Sequence, residues 1–184
     1  PPRSSLPMYW RRNARKTRCN GLIFTIFGKQ NNTMAKHIYC RHHTEMEVPF
    51  FDVDAMHIVW HGHYLKYFEI ARCKLLDAFG YNYPQMQDSG YMWPVIDAHV
   101  RYIHGIVFTQ KIRVVASLIE WENRLKIHYV VYDANSGKRL TKGHTIQVAV
   151  HIATRELCLV SPEALTQKLH AWPAFQAAVL KEHP

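Results

Sequence analysis

The sequence predicts an α+β domain in which one antiparallel sheet curls around one long helix. Three observations carry that expectation. A helical pattern of apolar residues runs from His61 to Phe79, a short strand-like stretch from Met46 to Val53 precedes it, and four consecutive segments of period-two alternation follow it. Strand, buried helix, then a run of strands is an α+β order. At 184 residues and 48% apolar, the chain is long enough to bury a sizeable core in one domain.

Each element follows from local chemistry. In the helix, Tyr64, Leu65, Phe68, Ala71, Leu75, Leu76 and Phe79 recur at three- and four-residue steps, and Gly80 stands where a helix C-cap belongs. That helix is apolar around much of its circumference, which predicts that the sheet wraps it. The turn-rich YNYPQMQDSG (Tyr81–Gly90) separates it from the strands, expected over Trp93–His104, Ile106–Trp121, Arg124–Asp133 and Arg139–Ala153. DANSGK (Asp133–Lys138) is a hairpin loop, with Asn and Gly supplying unusual backbone angles, and WENR (Trp121–Arg124) is a second tight connection. Ser161-Pro162-Glu163 opens a last helix through about His170, with Pro at its first position. The expected division is a basic extension over 1–33, the α+β domain over 34–160, and a C-terminal helix and tail over 161–184.

The charge of +9 does not belong to the body of the chain. Residues 1–33 hold seven Lys and Arg and no acid, which leaves 16 basic against 14 acidic side chains over the remaining 151 residues. A basic arm of this kind can meet nucleic acid or anionic lipid, but Tyr9, Trp10, Phe24 and Phe27 make no stacking platform. An Arg-rich, acid-free leader also has the composition of a transit peptide. No apolar run reaches the roughly 20 residues of a membrane span. The four cysteines, Cys19, Cys40, Cys73 and Cys158, are scattered without metal-ligand or disulfide spacing, which predicts reduced thiols in the cytoplasm.

One stretch concentrates chemistry. FFDVDAMHIVWHGHYLKYFEIAR (Phe50–Arg72) sets Asp52, Asp54, His57, His61 and His63 at the start of an aromatic helix. Charges beside buried aromatics are costly unless they pair or react. Asp52 and Asp54 share a strand-like spacing, whereas His57 and His61 lie four apart, and no second cluster completes a metal site.

Asp52-x-Asp54, then Ile58-Val59-Trp60-His61, Tyr64 and Tyr67-Phe68-Glu69-x-Ala71-Arg72 resembles the hotdog-fold acyl-CoA thioesterases, of the hydroxybenzoyl-CoA and Tol-Pal-associated types. The likeness covers about residues 46 to 162 and is densest over the opening stretch. It implies an oligomeric hotdog fold, a homodimer or a homotetramer, with the site formed between two protomers. It also implies hydrolysis of an acyl-CoA or acyl-carrier-protein thioester, without metal or any cofactor beyond the coenzyme A of the substrate.

The second acid of the pair, Asp54, corresponds to the family's catalytic carboxylate, either a nucleophile forming a mixed anhydride or a general base on water. His61 falls where part of the family has a catalytic histidine and the rest a tyrosine. Each has a plainer role available: Asp54 as a turn carboxylate, His61 as a helix-start residue that packs. His57, Val59, Trp60, Tyr64 and Trp93 are expected to contact substrate, and Tyr91 and Met92 to wall an acyl pocket with Trp93. Asp52 is expected to be structural. His57 replaces a glycine of many relatives, and Phe50 replaces a tyrosine of some, so a hydroxyl donor is absent there. Glu69 and Arg72 are expected to pair at the surface or an interface. Arg101, Lys111 and Arg113 are available for the coenzyme's phosphates. His99, His128 and His144 read as scattered strand residues. A non-catalytic acyl-binding protein and a hotdog dehydratase or hydratase are the alternatives.

Overall fold

A computed structural model describes residues 37–182; the basic segment expected over 1–33 lies outside them. Strands β1 (Cys40–Glu47), β3 (Val95–Tyr102), β4 (Lys111–Glu120), β5 (Leu125–Asp133) and β6 (Arg139–Gln147) form one antiparallel sheet in the order β1-β4-β5-β6-β3. Helix α1 (His63–Ala78) packs on one face of it. Two short strands, β2 (Tyr91–Met92) and β7 (Val150–His151), pair beside the sheet. Helices α2 (Tyr83–Asp88), α3 (Glu163–Ala171) and α4 (Pro173–Glu182) complete the described chain.

The core is set by alternation in the sheet and by helical spacing in α1. Ile112, Val114, Ala116 and Leu118 of β4, with Leu125, Ile127, Tyr129 and Val131 of β5, are buried on the helix side. Against them α1 buries Tyr64, Tyr67, Phe68, Ala71, Leu75 and Leu76. Gly80 ends the helix with φ +69, the left-handed conformation for which glycine is suited. Phe68 and Tyr129 stack at 4.4 Å between ring centroids, 5° from parallel. Gly143 of β6 makes that stack possible, since a Cβ there would lie 2.3 Å from the His99 carbonyl oxygen and 2.7 Å from the Phe68 ring. The expected C-terminal segment adds Leu165, Leu169 and Phe175 to the same core.

Several elements differ from expectation. The first strand is β1, earlier than Met46–Val53, because Pro49 turns the chain and Phe50–Asp52 forms a 3-10 turn. The segment Tyr83–Asp88 is helical, started by Asn82, whose side chain accepts the Tyr83 N–H while Gln85 accepts the Asn82 N–H. Residues 105–110 are loop, and the last long strand breaks before β7. Pro162 is the cap of α3, one position before its first turn.

Candidate active site

The site is a hairpin tip clamped onto a helix start. Val53 bridges Val59, and Ile58 bridges Val107. Within the tip the Asp54 N–H donates to the Ile58 carbonyl and the His57 N–H to the Asp54 carbonyl, each at 2.9 Å. This turn needs a left-handed residue, and His57 takes it with φ +60. His57 thus adopts a backbone conformation that glycine takes more readily.

Asp54 is half-buried, and its Oδ1 accepts the Met56 N–H at 2.8 Å, which fixes the carboxylate's rotation. It lines a cavity of about 230 Å³ together with His61, Val59, Tyr64, Tyr102 and Ile103. Tyr102 donates from its hydroxyl to the His61 carbonyl at 2.9 Å, which ties the end of β3 to the start of α1. The Tyr64 phenol is held above its ordinary range, first by burial and then by Tyr102 and Asp54 nearby. It therefore stays a neutral donor in the cavity wall.

Asp52 has the structural place expected for it. It is fully buried, accepts from the Tyr67 hydroxyl at 2.8 Å and from Lys66, and lies 3.2 Å from His63. Burial alone would raise its carboxyl, but the bonds from Lys66 and Tyr67 and the charges of Lys66 and His63 hold it below the usual range. Asp52 thus faces the helix while Asp54 and His61 face the cavity. Among the described residues no group of His, Cys, Asp and Glu has metal-binding geometry.

The remaining expected residues divide. Val59 and Tyr64 share the cavity of Asp54 and His61. His57 borders a second cavity of about 300 Å³ on the other side of Asp54, with Phe50 and Phe108. Trp60 does not line the Asp54 cavity; it lies against His61 and His63 and over Gly62, where a Cβ would fall 2.1 Å from the indole. Trp93 is not brought to Asp54 in this chain. It is 5% exposed, donates to the Tyr81 hydroxyl at 3.4 Å, and with Tyr91 and Met92 walls a cavity of about 570 Å³.

Arg72 also lines that cavity and makes the expected pair with Glu69, but from a buried position. Its side chain is 4% exposed, bonded to Glu69 and to the Tyr83 hydroxyl. The i, i+3 spacing predicted the partner; burial depended on α2 folding over it, which that spacing does not encode.

The cavity at a helix start, with a half-buried carboxylate and a histidine in its wall, stands on a fold that known proteins share. The thioesterase-like superfamily matches residues 48–178. The chain belongs to that family. Among curated proteins it is 31% identical over 97 residues to a Bacillus subtilis (strain 168) protein named "Putative acyl-CoA thioesterase YneP", covering 53% of this chain and 70% of that one. Among solved structures, a DHNA-CoA thioesterase from Staphylococcus aureus superposes with a TM-score of 0.64 at 24% identity, over 77% of this chain and 91% of that one. A 4-hydroxybenzoyl-CoA thioesterase variant solved with 4-hydroxybenzoyl-CoA gives 0.62 at 13% identity, over 70% and 97%. The fold is the hotdog fold of these thioesterases.

Proposed function

We propose that this chain hydrolyses the thioester of an acyl-CoA, or of an acyl-carrier protein, to a free acid and a thiol, with Asp54 as the catalytic carboxylate. The observation that carries the proposal is the shared cavity of Asp54, His61 and Tyr64 at the start of α1. A thioester carbonyl placed there meets the carboxylate on one side. On the other it meets a helix start, whose unused N–H groups and partial positive charge favour a developing oxyanion. Asp54 either attacks the carbonyl carbon or takes a proton from the attacking water. His61 donates to the carbonyl or orients that water. The thiolate then leaves and is protonated; where Asp54 is the nucleophile, water next cleaves the mixed anhydride, releasing the acid and restoring the carboxylate. No cofactor enters beyond the coenzyme A of the substrate.

The working unit in this proposal is a homodimer, which could pair again as a tetramer. β3 is a sheet edge, paired within the described chain only with β6. Val95, Ile96, Tyr102 and Ile103 at that edge, and Val107 and Phe108 next to the hairpin tip, are apolar and exposed. An exposed edge of this kind is a template for pairing with a second copy. Among the described residues no helix is long and apolar enough to cross a membrane. We place the enzyme in the cytoplasm, where the free thiols of Cys40, Cys73 and Cys158 are chemically at home.

The test is thiol release from short, long and aromatic acyl-CoAs by the wild type and by Asp54→Asn. The variant should lose at least about a hundredfold in kcat, the scale of a lost general base, with its unfolding midpoint unchanged. Full activity in the variant removes Asp54 from the mechanism. A wild type silent on both CoA and carrier-protein esters, yet able to bind them, makes the chain an acyl-binding protein.

A further inference from the structure

The strand register assembles a cluster that is dispersed in the sequence. His99 of β3 pairs with His144 of β6, and His144 pairs in turn with His128 of β5. The three rings form a row, with centroids 5.6 Å apart for His99 and His144 and 5.8 Å for His128 and His144. They lie on the face of the sheet away from α1, since Tyr129, next to His128, stacks on Phe68 of that helix. With Arg101, Val130 and Lys142 they line a pocket of about 370 Å³. The rings lie 29° and 36° from parallel, so they stack side by side instead of aiming at one point as metal ligands do.

The charges facing this pocket come from all three strands. β3 supplies Asp97, His99 and Arg101; β5 supplies Lys126 and His128; β6 supplies Lys142 and His144. Asp97 Oδ1 lies 3.1 Å from His144 Nε2, and Arg124, bonded to Glu120, acts on Asp97 from the end of β5. Two fixed cations, Arg101 and Lys142, thus line the pocket, and a third, Lys126, stands with the one carboxylate, Asp97, beside His144.

We infer that this pocket binds a phosphate-bearing anion, held by Arg101 and Lys142 and gripped more tightly as the neighbouring His144 takes up a proton. Guanidinium and ammonium groups are the usual partners of phosphate oxygens. The imidazoles of His99 and His144 between them supply N–H donors at short range. His144 is held below its usual range, first by burial, then by Lys126, with Asp97 opposing. A bound dianion would raise it, so binding should take up protons. The pocket stands without the hydrolytic proposal; only the assignment of its phosphate to coenzyme A rests on that proposal.

The test is calorimetric titration of the full chain with adenosine 3′,5′-bisphosphate and, separately, with inorganic pyrophosphate, at pH 8 and pH 6.5. The variants are Lys142→Gln at an exposed position and His144→Gln, each checked for an unchanged unfolding midpoint. Lys142→Gln should weaken binding of both probes about tenfold, as expected for one lost charge-assisted contact. His144→Gln should flatten the gain in affinity between pH 8 and 6.5; comparing it with the wild type cancels the titration of the probe itself. If Lys142→Gln also raises KM for acyl-CoA with kcat unchanged, the phosphate is that of the substrate. If KM is unmoved while probe binding falls, the site serves a free phosphate compound. No binding below about 1 mM in the wild type, or binding that ignores both substitutions, overturns the inference whether or not the chain hydrolyses thioesters.

Discussion

Asp52 closes a 3-10 turn and Asp54 sits on the hairpin tip two residues later, yet the two regions treat the same side chain in opposite ways. The turn surrounds Asp52 with Lys66, Tyr67 and His63 and excludes water from it. The tip fixes Asp54 through the Met56 N–H and directs it toward a cavity. Residue type does not separate a structural carboxylate from a candidate reactive one. The number of fixed donors and the depth of burial do, because a carboxylate saturated with donors is stabilised where it stands and has little left to offer a substrate.

That contrast can be broken by crossing the two substitutions. Asp52→Asn should destabilise the fold by about 2–3 kcal/mol, since it strips a buried charge from three partners. Thermal unfolding should register this as a drop of roughly 5–10 °C for a chain of this size. A stable Asp52→Asn that has lost turnover would erase the division of roles. The pH dependence sharpens the same point. The Asp52 carboxyl is depressed in the folded state, so its stabilisation is complete above the unfolded value of about 4 and disappears as pH falls below it. Acid unfolding of wild type should therefore lose its steep limb below about pH 4 in Asp52→Asn.

A smaller effect comes from the other donor. Tyr67→Phe removes the 2.8 Å bond to Asp52 without a cavity, and should cost about 1–2 kcal/mol in denaturant unfolding. The smallest concerns the tip. His57→Gly should raise stability by about 0.5 kcal/mol, because relief of a left-handed side chain narrowly outweighs the added freedom of the unfolded chain. A loss of several kcal/mol would mean that the imidazole holds the tip by contacts of its own.

Much of this was readable in the sequence, and the gaps have physical causes. α1 and its end at Gly80 were legible because helical spacing and a terminal glycine are local signals. β1 was displaced because CRHHTEME alternates with few strong strand formers, while the more apolar VPFFDV after it contains the proline that turns the chain. α2 carried its capping signal in Asn82 and Gln85, yet so short a helix looks like a turn. Asp54 and His61 were nameable from a gapless motif, and their place in the wall of one cavity follows from their closeness in sequence. That Tyr91, Met92 and Trp93 share one cavity wall was legible, but the histidine row was not. The neighbours of each ring are set by which strand lies beside which, and 45 residues separate His99 from His144.

Tyr102 is the last residue of the edge strand and also the donor that holds the His61 carbonyl. The same side chain therefore belongs to the exposed edge of the sheet and to the bond that sets where α1 begins. If a second copy seats on β3, the geometry around Asp54 is tuned by protein concentration, and specific activity in a dilute assay reports on association as much as on the reaction.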